Sequence, residues 1–188
     1  MADRPALCRA DRSRLVVIDI QQRLAGVMEP ADRARVLART EALVQGAALL
    51  EVPMVATEQY PKGLGPTEET IARHLPESAP VVEKTCFACG RSDAFREVLA
   101  TEDRPQLVLA GMEAHVCVLQ TALEAQAEGY EVFVAADAVC SRSVENYDNA
   151  LARLRQAGVV VTNSESVLFE WVGDAGHERF KAVSALVK

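Results

Sequence analysis

The sequence lacks any run approaching the roughly 20 apolar residues that a membrane span requires. Its opening stretch, Met1 to Arg9, has no apolar core of signal-peptide length either. A cytoplasmic chain with no membrane partner is the expectation. Aromatic residues make up only 5%, too few for a platform on which bases stack, and positive charge is the scarcer sign, with 20 Lys and Arg against 27 Asp and Glu. At a net charge of -7 there is no general basic footprint, so no nucleic-acid partner is expected. The five cysteines are an odd set in a chain without an export signal, which argues against a disulfide framework. No internal repeat, low-complexity tract or change of composition marks a boundary, and 188 residues suit one domain, taken here as residues 1–188. A chain of that length, 49% hydrophobic, can bury about two-thirds of its unfolded surface without a metal or disulfide staple.

What is present is a series of short apolar runs rich in β-branched residues. Leu15 to Ile18, Val52 to Ala56, Leu107 to Ala110, Val132 to Ala135 and Val159 to Val161 lack alternation and read as strands buried on both faces, with a shorter one at Val81-Val82. Helical patterns separate them. Val36, Leu37, Leu43, Val44, Ala47 and Leu50 follow Pro30 at helical spacing. Further helices are marked by Phe95, Val98 and Leu99, by Val116, Leu119 and Leu123, by Val144, Tyr147, Leu151 and Leu154 ending near Gly158, and by Phe180, Val183 and Val187. Strands alternating with helices predict a three-layer α/β/α fold around a mostly parallel, doubly wound sheet of about six strands. Ligands in such folds sit beyond the carboxyl ends of the strands, so the polar residues closing the apolar runs are the ones to weigh. Tyr60 to Pro66 reads as the clearest long loop, on the same side.

Asp19 closes the first run, where a carboxylate either caps a helix or needs a charged partner. Lys84 follows Val81-Val82 and, taken alone, reads more readily as a solvated lysine. Cys117 lies where a buried strand passes through a turn into a helix. Unpaired N–H groups and the positive end of the helix dipole there favour thiolate over thiol, and a nearby ammonium would lower the thiol pKa further. The same amides could hold a tetrahedral oxyanion, while the bland alternative is a small buried hydrophobe.

Taken together, Gly111-Met112-Glu113-Ala114-His115-Val116-Cys117-Val118-Leu119-Gln120-Thr121-Ala122, Asp19-Ile20-Gln21 and Lys84 resemble the isochorismatase-like cysteine hydrolases, over the chain from the first strand onward. The subgroup of isochorismatase domain-containing proteins is the one most similar, through Thr57-Glu58-Gln59-Tyr60-Pro61-Lys62-Gly63-Leu64-Gly65, Glu83-Lys84-Thr85-Cys86-Phe87 and Thr162 to Phe169. The resemblance implies Cys117 as nucleophile, Asp19 as proton acceptor and donor, Lys84 as the cation beside the thiol, and a thioester formed from a small amide or related acyl compound. It also implies a cis peptide at Met112-Glu113 and an oxyanion hole made by the backbone N–H groups of Glu113 and Cys117. Gln59, Tyr60, Phe87 and His115 are the expected substrate-binding positions, Tyr60 and Phe87 as apolar walls or as core. Nicotinamidases of the superfamily hold a metal between the second and third strands, but Thr57 to Leu75 here has no aspartate and only His74, so neither metal nor cofactor is expected. Two rival readings stand beside the amide hydrolase: a vinyl-ether hydrolase, and a non-catalytic oligomeric binding protein keeping the fold.

Cys86-Phe87-Ala88-Cys89 has dithiol spacing, but no second ligand pair completes a zinc site, and it does not open a helix early in a βαβ unit. Packing or pocket lining is the expectation. His115 invites a Cys/His dyad, yet residues two apart at a helix start diverge, which favours a place on the rim. A homo-oligomer is expected, with Val167 to Val172 able to pack between subunits.

Overall fold

The structure, a computed structural model, describes residues 7–188, so Met1 to Ala6 of the leader expectation lie outside it. In chain order the elements are β1 (Ser13–Ile18), α1 (Gln22–Ala25), α2 (Pro30–Leu49), β2 (Met54–Gln59), α3 (Pro61–Leu64), α4 (Glu69–Ala72), β3 (Val81–Lys84), α5 (Asp93–Leu99), β4 (Gln106–Met112), α6 (Leu119–Ala127), β5 (Glu131–Cys140), α7 (Val144–Gln156), β6 (Val160–Thr162), α8 (Ser164–Val172) and α9 (Phe180–Ala185). A 3₁₀ turn at Cys89–Arg91 precedes α5, and a π-helical turn at Ala114–Val118 leads into α6.

All five strand pairings are parallel, in the order β3-β2-β1-β4-β5-β6. In β1 the side chains of Leu15 and Val17 enter one core and those of Val16 and Ile18 the other, as an apolar run without alternation requires. The first core is closed by α2, α8 and α9 through Leu43, Val44, Leu168, Trp171 and Val183. Phe95, Leu119, Ala122 and Leu154, from α5, α6 and α7, close the second. Five of the six apolar runs stop short of the strand's carboxyl end: β2 continues through Thr57-Glu58-Gln59 and β3 through Glu83-Lys84, because the ladder is made by backbone groups regardless of side-chain polarity. The edge strand β3 alternates exposed and buried residues rather than burying both faces.

The chain winds outward from β1 to β3, then returns to place β4 on the other side of β1. The crevice between β1 and β4 is therefore the topological switch point, where helices leave to opposite faces and ligands of this architecture bind. Gly111 permits the close approach of the two strands there. Its φ is 144°, and a Cβ on it would overlap the Ile18 carbonyl oxygen.

Two expectations need correction. Tyr60 to Pro66 is not an open loop: Pro61 opens the helical turn α3, after Tyr60 at φ 39°. Val167 to Val172 does not pack between subunits by its apolar face, because Val167, Leu168, Trp171 and Val172 are buried in the chain's own core, leaving Phe169 half-exposed against Phe180.

Candidate active site

Asp19 follows β1 with φ 52°, a left-handed conformation that aspartate tolerates better than most residues. Its N–H donates to the Thr57 carbonyl (3.1 Å) and its own carbonyl accepts from Gln21 N–H (2.9 Å), so the chain turns sharply out of the sheet. The side chain caps no helix. Instead Oδ2 accepts from Lys84 Nζ at 2.6 Å and Oδ1 accepts from the Thr57 hydroxyl at 2.7 Å. Both side chains of the Asp19–Lys84 pair have 0% exposure, so the helix-cap and solvated-lysine alternatives are both set aside.

Lys84, the last residue of β3, also donates to Gln59 Oε1 (2.9 Å) and to the carbonyls of Cys86 (3.3 Å) and Phe87 (3.4 Å). Burial pulls its pKa down, but Asp19 and the Cys89 and Cys117 sulfurs outweigh that and hold the ammonium above the ordinary lysine range. Cys117 sits in the π-helical turn after β4, 5% exposed, beside the same pair. The Met112-Glu113 peptide before that turn is cis. No hydrogen bond from the Glu113 N–H to another described residue is formed, which leaves this donor available beside the thiol's turn.

The expected lowering of the Cys117 thiol is reversed. Burial pushes its pKa up, the Asp19 carboxylate adds to the rise both by charge and as a hydrogen-bond partner, and Lys84 opposes it without prevailing. At rest the group is therefore a thiol. The Asp19 carboxylate is the hydrogen-bond partner beside it.

Of the four expected substrate-binding positions, Tyr60 borders a cavity of about 560 Å³ that also touches Lys62, Glu83, Lys84, Cys86 and Arg91. A larger cavity of about 640 Å³ lies around Arg14, Val52 and Thr101, at the amino ends of the strands, away from all the groups above. Tyr60 (56% exposed) and Phe87 (52%) stand on the surface, so neither is core. Gln59 is engaged internally: its amide donates to the Thr85 carbonyl at 2.7 Å while its Oε1 takes the Lys84 ammonium, which makes it a support for Lys84. His115 turns toward the segment after β5, with Nδ1 2.9 Å from Ser141 Oγ, and the Glu113 carboxylate accepts from Arg142 N–H (3.0 Å) and Nε (3.1 Å) in the same segment. His74, the one possible metal ligand singled out between β2 and β3, faces Glu41 at 2.9 Å.

The sequence reading passed over Gln21 and Thr57 as site residues. The Gln21 side chain binds Gln59 like a neighbouring strand, accepting from its N–H (2.8 Å) and donating to its carbonyl (3.1 Å), and it donates to the Gly65 carbonyl at 2.6 Å. Thr57 and Gln21 are nearly or fully buried. Polar residues at the buried ends of apolar strands were the available signal.

A family model described as "Isochorismatase domain" matches residues 13–166. Isochorismatase domain-containing protein 2 of Bos taurus is 40% identical over 192 aligned residues, covering 100% of this chain and 89% of that protein. The "Secreted isochorismatase effector Isc1" of Phytophthora sojae (strain P6497) is 38% identical over 180 residues, covering 94% of this chain and 84% of its own. A solved structure from Caenorhabditis elegans, named as MAR1 ribonuclease, superposes with a TM-score of 0.90 at 34% identity, covering 96% of this chain and 92% of that one.

Proposed function

The chain belongs to the isochorismatase family of hydrolases, and from that premise we propose that it is one hydrolase domain that cleaves a small amide or related acyl compound through a thioester on Cys117. The observation that carries this reading is the fully enclosed Lys84–Asp19 pair at 2.6 Å, set beside a buried thiol at the sheet's switch point. Structural ion pairs of that kind are costly to enclose, and here one is placed where a proton acceptor is needed.

In the proposed reaction Asp19 takes the thiol proton as sulfur attacks the carbonyl carbon, and the carbonyl π electrons move to oxygen. The Glu113 and Cys117 N–H groups receive that oxyanion. Collapse of the tetrahedral adduct expels the amine, which takes the proton from Asp19, and leaves an acyl thioester. Water, deprotonated by Asp19, then attacks the thioester and releases the carboxylic acid and the restored thiol. Lys84 keeps positive charge against the sulfur while negative charge develops there. Tyr60, which borders the cavity beside Lys84, and the exposed Phe87 are the proposed substrate contacts, while Gln59 holds Lys84 and His115 is engaged with Ser141.

Incubation with a library of small amides and esters, read by intact mass spectrometry, tests this. The expected result is an acyl adduct on Cys117 that Cys117→Ala does not form. Turnover that survives Cys117→Ala undiminished would sink the mechanism, and a library without any adduct or product would favour a binding protein that has kept the fold. RNA belongs in the same assay because the worm protein is named a ribonuclease; at a net charge of -7 no cleavage is expected. We also read the chain as a homo-oligomer, through exposed apolar residues such as Phe87 and Val144, which sedimentation velocity checks. Cytoplasmic residence is part of the same proposal and rests on five free cysteines; cell fractionation decides it, since the Phytophthora relative is named as secreted.

A further inference from the structure

The Cys86-x-x-Cys89 motif is not a dithiol in use, because its two members are placed differently. Cys86 is half-buried and lines the cavity beside Lys84, whereas Cys89 is fully enclosed, its N–H held by Thr121 Oγ1 of α6 at 3.0 Å. The Cys89 thiol donates toward Thr57, with Sγ 3.9 Å from Oγ1, and the Thr57 hydroxyl in turn donates to Asp19 Oδ1 at 2.7 Å. A threonine hydroxyl has one proton. If Cys89 fills an acceptor position on Thr57, that single proton is left committed to the carboxylate.

We propose that Thr57 is a positioning residue for the hydrolytic reaction, held in its donor orientation by Cys89, and that together they fix the Asp19 carboxylate so that it can receive the Cys117 proton. Lys84 alone fixes one carboxylate oxygen and leaves rotation about the side-chain bonds of Asp19 unrestrained. With Thr57 on Oδ1 and Lys84 on Oδ2, the carboxylate plane is held at both ends. Burial pushes the Cys89 thiol up to about 11, so near neutrality it stays a neutral donor and adds no second negative charge beside Asp19. The charged and titratable groups facing the Cys117 sulfur are then Asp19 from β1, Lys84 from β3 and Cys89 from the 3₁₀ turn.

The inference rests on the proposed role of Asp19, so the experiment contains a control for that role. Site-resolved mass spectrometry measures the rate of Cys117 alkylation by iodoacetamide between pH 7 and 10. Asp19→Asn removes both the proton acceptor and a charge that raises the thiol's pKa; loss of the acceptor is expected to outweigh that relief near neutrality and slow the reaction by about 100-fold. Thr57→Val should slow it by about 5- to 10-fold near neutrality, the worth of one well-aligned hydrogen bond, and the deficit should close toward pH 10 as hydroxide takes over the deprotonation. Thr57→Ser should restore the rate to within about twofold, and Cys89→Ala should lose about two- to threefold that Cys89→Ser recovers. Thr57→Ala repeats the test if the valine variant does not fold, folding being checked by circular dichroism. A normal rate in Asp19→Asn overturns the reading of Asp19 itself. A slowed Asp19→Asn beside an unaltered Thr57→Val, or a Thr57→Val deficit equal at every pH, overturns the positioning role alone.

Discussion

Lys84 and Asp19 cannot be separated without leaving one of them as a bare charge in the interior, because both side chains are wholly enclosed. Lys84→Met should therefore destabilise the fold by about 3–5 kcal/mol, measured by urea unfolding, whereas the double replacement Lys84→Met with Asp19→Leu should recover much of that loss. A single replacement that left stability untouched would mean that the pair is open to water. At this scale the sequence singled out three residues that the fold brings together, and it was a poor guide to their state. Asp19 and Lys84 stood out as polar groups following apolar runs, and Cys117 as a thiol where a strand turns into a helix. The direction of the Cys117 shift did not stand out. It depends on how far the sulfur is buried and on which neighbour lies closer, and both are set by segments remote in sequence.

Among the elements, the approach of β4 to β1 sets the site. Ile18 pairs with Gly111, and the two strand ends deliver Asp19 on one side and the turn bearing Cys117 on the other. Gly111→Ala would place a methyl group on the Ile18 carbonyl at a φ that side chains rarely adopt. A loss of more than about 3 kcal/mol is expected, seen as a lower thermal midpoint or as failure to accumulate folded protein. An alanine variant with wild-type stability would show that the strands can part without cost. The alternation of strands and helices was legible from the apolar periodicity, but strand ends were not. Thr57, Gln59, Glu83 and Lys84 are polar, and their membership of β2 and β3 comes from backbone pairing with a neighbour strand. Periodicity also could not show that Pro61 starts a helical turn inside the segment after β2.

Across the whole molecule, four enclosed thiols titrate together. Burial pushes Cys89 up to about 11 and Cys140 up to about 12, and it raises Cys8 and Cys117 as well. In the unfolded chain these groups release their protons near pH 8.5. Their folded pKa values lie above that, so the folded state keeps protons that the unfolded state has lost, and the stabilisation present below about pH 8.5 is lost progressively as pH rises. Lys84, whose folded pKa is also raised, acts in the same direction at still higher pH. The thermal midpoint by circular dichroism should stay level from about pH 7 to 8 and fall steadily between about 8.5 and 11. A flat midpoint through that range would mean that the thiols are not sealed from solvent.

Read alone, the sequence determined the layered α/β architecture, through apolar periodicity, and the family, through the resemblance of its motifs, and it singled out Asp19, Lys84 and Cys117, because all of these are local signals. Tertiary structure decided what those residues hold. The Lys84–Asp19 contact, the Thr57 and Cys89 groups behind it, the internal engagement of Gln59, the His115–Ser141 contact and the protonated state of Cys117 all arise between strands far apart in the chain. Only the order in which those strands lie side by side brings such groups within hydrogen-bonding distance, and only the packing around them sets how much water remains to screen their charges.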